Sequence, residues 1–200
     1  STSVVPAGVD ISYFTPRREE TEPNSLVFVG TMDWTPNVEG VMWFRNKVLP
    51  LIKEVFPGVK FYIVGKNPSR KIQRLKNKNI LVTGFVDDVR EYMARGQVFI
   101  APLKTGSGMR IKILNAMAME KPVVSTSVGC EGISVTEGKD ILIGDEPEEF
   151  AEKILNLLQN EKKRNKIAKA GLNLVKKNYR WETVTRKLVS EYRKIINNQD

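Results

Sequence analysis

A chain of 200 residues, 41% of them hydrophobic, can bury one sizeable core with appended helices. It has no apolar run long enough to span a bilayer, and its first residues lack the basic and apolar regions of a signal peptide; both point to a soluble protein. Histidine is absent, which removes the usual zinc ligand and the commonest general base, while a single Cys130 rules out an internal disulfide and fits a reducing compartment.

The elements alternate along the chain. Residues 1–24 carry Pro6, Gly8, Pro16 and Pro23 among polar residues and suit a connector or arm; the missing initial methionine suggests a piece of a longer protein. Residues 26–29 read as a buried strand ending at Gly30. A helix follows over 38–55, with Asp33, Thr35 and Asn37 as candidate caps. A second strand over 60–64 ends at Gly65, with a polar helix over 69–76 after it. A third over 80–83 ends at Gly84 and leads into a short helix over 87–94. Strands over 98–101 and 122–125 flank a helix, residues 142 and 143 form a sixth strand, and helices cover 147–158, 163–177 and 181–196. Short, continuously apolar strands alternating with helices predict an α/β fold, a doubly wound parallel sheet of Rossmann-like type.

Ligands of such sheets bind beyond the carboxyl ends of the strands, where Gly30, Gly65, Gly84 and Gly106 all fall. The most informative stretch is 101–125, a strand end, a glycine turn, a helix and another strand. Gly106 and Gly108 allow a tight turn, and the helix they open directs unsatisfied N–H groups and its positive dipole end into the same space. Arg110 and Lys112 lie at that helix start, where the dipole disfavours cations unless an anion is bound. Two solvated basic residues beside an ordinary turn are the alternative for this motif alone; ordinary strand-to-helix turns would account for about half of the clustered glycines but not for the cations.

The formal charge is +9, and much of it comes late. Between 161 and 180, Lys162, Lys163, Arg164, Lys166, Lys169, Lys176, Lys177 and Arg180 stand against one acid, with Ile167, Ala168, Leu172, Leu174 and Val175 between them. This is an amphipathic helix with a basic outer face. A solvated face is the simplest reading, an anionic membrane surface the next, and nucleic acid the last, since no aromatic residues interleave the cations as a stacking platform would require.

The ordered motifs Phe28-Val-Gly30-Thr-Met-Asp-Trp34-Thr-Pro36-Asn37, Val64-Gly65, Val82-Thr-Gly84-Phe85-Val86-Asp87-Asp88, Gly106-Ser-Gly108-Met-Arg110-Ile-Lys112-Ile-Leu-Asn115 and Lys121-Pro122-Val-Val-Ser-Thr126, with Glu131-Gly132, run through nearly the whole chain. Together they resemble the nucleotide-sugar-binding C-terminal domain of a GT-B glycosyltransferase of the large retaining family 4 (group 1). The resemblance divides the chain into an interdomain arm (1–24), a donor-binding domain (25–178) and a final helix (179–200) that packs back toward an absent N-terminal domain.

It implies transfer of a sugar from a nucleotide-diphosphate sugar to an acceptor with retention, in cell-surface polysaccharide or glycolipid synthesis. The fragment would be inactive by itself, because the N-terminal domain holds most of the acceptor site. Arg110 and Lys112 would stabilise the leaving diphosphate as catalytic cations with no metal or other cofactor. Gly106, Ser107, Gly108, Met109 and Ile111 would line the phosphates or sugar, and Val86 would meet the base through its backbone. Gly30, Thr31 and Met32 would approach from the other wall, with Lys66 beside them. Two glutamates common in the family fall on Ser107 and Asn115 here; Asn115 could still hold a ribose hydroxyl, without the charge. The arginine and lysine that follow the family's first strand are also missing, leaving Arg110 and Lys112 to take their place. These departures keep two other readings open, a degenerate nucleotide-binding module and a GT-B epimerase. The implied location is cytoplasmic, peripheral at the membrane face if the basic surface meets lipid, and nucleic acid is not an expected partner.

Overall fold

The computed structural model describes residues 3–17 and 20–197. Its centre is a parallel six-stranded sheet in the order β3-β2-β1-β4-β5-β6, built from β1 (Ser25–Val29), β2 (Lys60–Val64), β3 (Ile80–Val82), β4 (Val98–Ala101), β5 (Val123–Ser125) and β6 (Leu142–Ile143). The chain runs outward from β1 to β3, then returns to place β4 on the other side of β1, in register Leu26 to Val98 and Val27 to Phe99. This reversal between β1 and β4 is the switch point at which a doubly wound sheet opens a crevice.

Alternation along the strands divides the core. Leu26 and Phe28 face a cluster with Phe44, Phe61 and Phe150, whereas Val27 faces the opposite one with Phe99, Ile113 and Met117. The first layer comes from α1 (Thr35–Trp43), α2 (Leu49–Val55) and α6 (Pro147–Gln159). The second comes from α4 (Val89–Arg95), α5 (Ile111–Ala118) and α7 (Glu161–Asn178), while α3 (Arg70–Gln73) is a single turn after β2 and α8 (Trp181–Asn197) follows α7.

The single helix expected over 38–55 is two helices joined by a π-helical turn, Phe44–Val48, and it begins earlier, at Thr35. Pro50 has no N–H to give to the carbonyl four residues back and crowds that group, so the ladder is widened just before it. The expected caps are also used otherwise. Trp34 occupies the N-cap position without a side-chain cap bond, Asp33 accepts from Asn67 Nδ2 at 2.8 Å, and the Asn37 amide turns back to Thr31 O at 2.9 Å. The helices expected over 69–76 and 87–94 are shorter or shifted; Asp88 caps the latter by accepting from Arg90 N at 2.9 Å.

The described part of the arm lies against the domain. Val9 is buried and its N–H donates to Tyr179 O at 2.7 Å, and Glu22 holds Lys60 at 2.8 Å and the Tyr62 hydroxyl at 2.6 Å. Among the described residues, no helix is long and apolar enough to cross a membrane, and no cluster of carboxylate and cysteine side chains is arranged to hold a metal ion.

Candidate anion-binding site at the switch point

The site is assembled from the loops that leave β1 and β4. Gly65 is at φ +146°, and a Cβ there would come within 1.9 Å of Gly30 O, so the second strand end can pass the first only as glycine. Gly30 itself sits under two side chains. A Cβ on it would lie 2.6 Å from Asn37 Nδ2 and 2.7 Å from Lys112 Nζ.

Lys112 reaches from the first turn of α5 across to α1, where its Nζ donates to Asn37 Oδ1 at 2.7 Å above the Phe28 ring. Its surroundings hold an apolar ring, an amide and a second cation, but no carboxylate partner. Burial, with a smaller contribution from the Arg110 charge, lowers its pKa to about 7.

Arg110 occupies the N-cap position of α5 and is buried, at 6% exposure. Its Nη1 donates to Ser107 O and, at 2.8 Å, to Gly108 O, while Trp34 covers the guanidinium with its ring centroid 5.4 Å away. Nε and Nη2 are buried with no hydrogen-bond partner. A buried guanidinium with open donors beside a partly neutralised lysine costs free energy, and an anion in contact with both would recover it.

The backbone adds to this charge. Gly106 and Gly108 are at φ +98° and +85°, and among the described residues no hydrogen bond engages the N–H groups from Gly106 to Arg110. A Cβ at Gly106 would lie 2.8 Å from Arg110 Nη2. The helix that opens behind them has no acidic residue in its first turn and no side-chain cap. Free amides, a positive dipole end and two cations thus converge without a negative partner, an arrangement suited to a phosphate group.

The structure brings Gly30, Thr31, Gly106, Ser107, Gly108, Arg110 and Lys112 to this crevice. Met109, half-buried, faces Gly132, where a Cβ would lie 3.8 Å away, and Ile111 is exposed on the first turn of α5. Asn115, one turn further on, is half-buried, and its side chain makes no hydrogen bond among the described residues. Val86 is partly buried after β3, against the layer that includes α5. Lys66 is exposed, and its carbonyl accepts from Met32 N at 2.9 Å. Met32 is fully buried in the other layer, so its side chain and its N–H are both engaged within the protein. Sequence reasoning gave no site role to Asn37 and Trp34, which orient Lys112 and cover Arg110. Their signal lay in the run Trp34-Thr-Pro36-Asn37 shortly after a strand-end glycine, where Pro36 sits in the first turn of the helix and sets its start ahead of Asn37.

Residues 23–160 match the model of the family described as glycosyl transferases group 1, and the chain belongs to that family. An uncharacterised 44.6 kDa protein in the cps region of Klebsiella pneumoniae is 30% identical over 164 residues, 78% of this chain and 42% of that protein. The C-terminal domain of a group 1 glycosyl transferase, LpcC, from Francisella tularensis superposes with a TM-score of 0.72 at 18% identity, covering 87% of this chain and all of that domain. The structure of Anabaena HepE in complex with UDP and glucose superposes at 0.75 and 17% identity, over 92% of this chain and 55% of that one. The fold is therefore that of a GT-B glycosyltransferase C-terminal domain. The chain spans between about 35% and 54% of the length of the curated relatives it matches.

Proposed function

We propose that this chain is the donor-binding half of a transferase that moves a sugar from a nucleotide-diphosphate sugar to an acceptor with retention of configuration. The observation that carries the reading is Arg110, buried with two unpartnered nitrogens next to the uncompensated Lys112 at a free helix N-terminus. The diphosphate would rest on the N–H groups from Gly106 to Arg110, with the nucleoside directed toward Asn115 and the Val86 backbone. Breaking the bond between the anomeric carbon and the diphosphate leaves negative charge on the departing phosphate as the sugar becomes oxocarbenium-like. Fixed donors at that phosphate favour the transition state over the ground state. Arg110, Lys112 and the helix terminus supply them from the protein itself.

The partial coverage of the relatives supports a second, N-terminal domain that brings the acceptor. On α8, Leu188, Tyr192 and Ile196 are exposed at 40%, 59% and 63%, a stripe suited to packing against that domain. The chain without it would bind nucleotide but not turn over. The family and the cps-region relative support a role in cell-surface polysaccharide or glycolipid synthesis. The free, buried Cys130 thiol fits a reducing cytoplasm.

The test is Arg110→Ala in the full-length enzyme. Removing one such donor should lower kcat by roughly 100-fold or more; unchanged turnover would remove Arg110 from the chemistry.

A further inference from the structure

The positive charge is concentrated late in the chain, outside the loops that form the anion site. Residues 161–200 hold twelve of the 32 basic residues and four of the 23 acidic ones, so eight of the nine net charges reside in the last fifth of the chain. The fold turns this composition into a shape. Along α7, Lys162, Lys166, Lys169, Asn173 and Lys176 recur at steps of three or four and therefore share one side of the helix, and Arg180 follows just past its end. Ile167, Ala168, Gly171, Leu172 and Val175 are buried on the opposite side. From Lys162 to Lys176, at about 1.5 Å of rise per residue, this ridge is about 21 Å long.

The ridge ends in a groove of about 770 Å³ between α7 and α8, lined by Lys176, Lys177, Arg180, Arg186 and Lys187 with no acidic residue. Arg180 reaches Thr183 Oγ1 at 3.1 Å and Glu182 at 3.9 Å, and Arg186 donates to Glu182 O at 3.2 Å. Lys176, Lys177 and Lys187 are exposed and form no salt bridge among the described residues.

From this we propose that the α7–α8 face is a docking surface for an anionic lipid bilayer. The length of the ridge and the spacing of its charges select that partner. A compact phosphate would need a few converging donors, whereas this ridge spreads single charges over several turns, as a plane of headgroups would require. Each lysine near such a surface adds attraction that salt screens within a Debye length. Single-stranded nucleic acid would call for aromatic platforms between the cations, and α7 has none along the ridge.

The test is co-sedimentation of the 200-residue chain with vesicles of phosphatidylcholine, alone or with 30% phosphatidylglycerol. Two charge-matched variants are compared, Lys176→Gln/Lys177→Gln/Lys187→Gln in the groove and Lys71→Gln/Lys76→Gln/Lys78→Gln near the far sheet edge. Circular dichroism confirms that each is folded. Binding only to phosphatidylglycerol vesicles, lost at high salt and weakened on the order of 100-fold in the groove variant but little in the control, is expected. Equal weakening in both variants would mean net charge without a surface, and absence of binding at low salt would overturn the proposal. So would a single-stranded oligonucleotide bound as tightly at equal phosphate concentration and lost in the same groove variant. None of these readouts depends on the nucleotide-sugar assignment.

Discussion

The 2.7 Å bond from Lys112 Nζ to Asn37 Oδ1 ties α5 to α1 across the switch point and holds a cation directly over Gly30. Asn37 is suited to this position because its Nδ2 is fixed by Thr31 O, which leaves Oδ1 facing the ammonium. A neutral acceptor orients Lys112 without neutralising it.

Lys112 should make diphosphate binding depend on pH. Its free-state pKa is about 7, so above that value an incoming anion must also draw a proton onto the amine. Affinity for a nucleoside diphosphate should fall from pH 7 to pH 9, by at most tenfold per unit. The terminal phosphate titrates near about 6 and stays in one state across this window. Lys112→Met should flatten the profile, as read by calorimetry in buffers of matched ionic strength.

The same group makes stability depend on pH. Its pKa is about 7 folded and 10.5 for a lysine free in water, so between those values the unfolded chain binds more protons. Stability should therefore rise with pH across that window through this residue, with the penalty fully present below pH 7. In urea unfolding, Lys112→Met should be most stabilising near pH 6, and its advantage should shrink toward pH 10.

Asn37→Asp should place a carboxylate on Lys112. The lysine pKa would rise, the ligand-free fold would gain an ion pair, and the site would lose net positive charge. The expected outcome is a higher Tm with weaker diphosphate binding, an opposition that a purely structural Asn37 would not produce.

Gly30→Ala should disturb the site through contact alone, since its Cβ would lie within 2.7 Å of Asn37 Nδ2 and Lys112 Nζ. A cost of about 1–3 kcal/mol in stability is expected, together with lost nucleotide affinity. Denaturation and titration of the same sample check both.

Asn115→Glu should restore a charged acceptor on α5. A charge-assisted bond exceeds a neutral one by about 1 kcal/mol, so UDP should bind about fivefold more tightly and 2′-deoxy-UDP should gain less.

The strands were legible because a sheet covered on both faces demands continuous apolar runs, and Leu26 to Val29 or Val98 to Ala101 admit little else. The glycine turn and its cations were legible because they are contiguous. The Lys112–Asn37 bond joins residues 75 apart and exists only because β4 returns to the side of β1, so no local pattern announces it. The caps were misread for a related reason. Asn37 has the chemistry of a cap, but the Thr31 carbonyl and Lys112 claim its two ends. Periodicity carried the 38–55 reading straight through Pro50 and missed the π-helical turn that this residue imposes.

The most direct measurement is an amide-resolved NMR titration of this chain in low salt with UDP, GDP, ADP and TDP in parallel, repeated on Arg110→Ala. Shifts centred on residues 106–115 and Val86, favouring one base and lost in the variant, are the predicted result. No shift at these amides with any of the four at millimolar concentration, or the same shifts in Arg110→Ala, would contradict a diphosphate site at the start of α5.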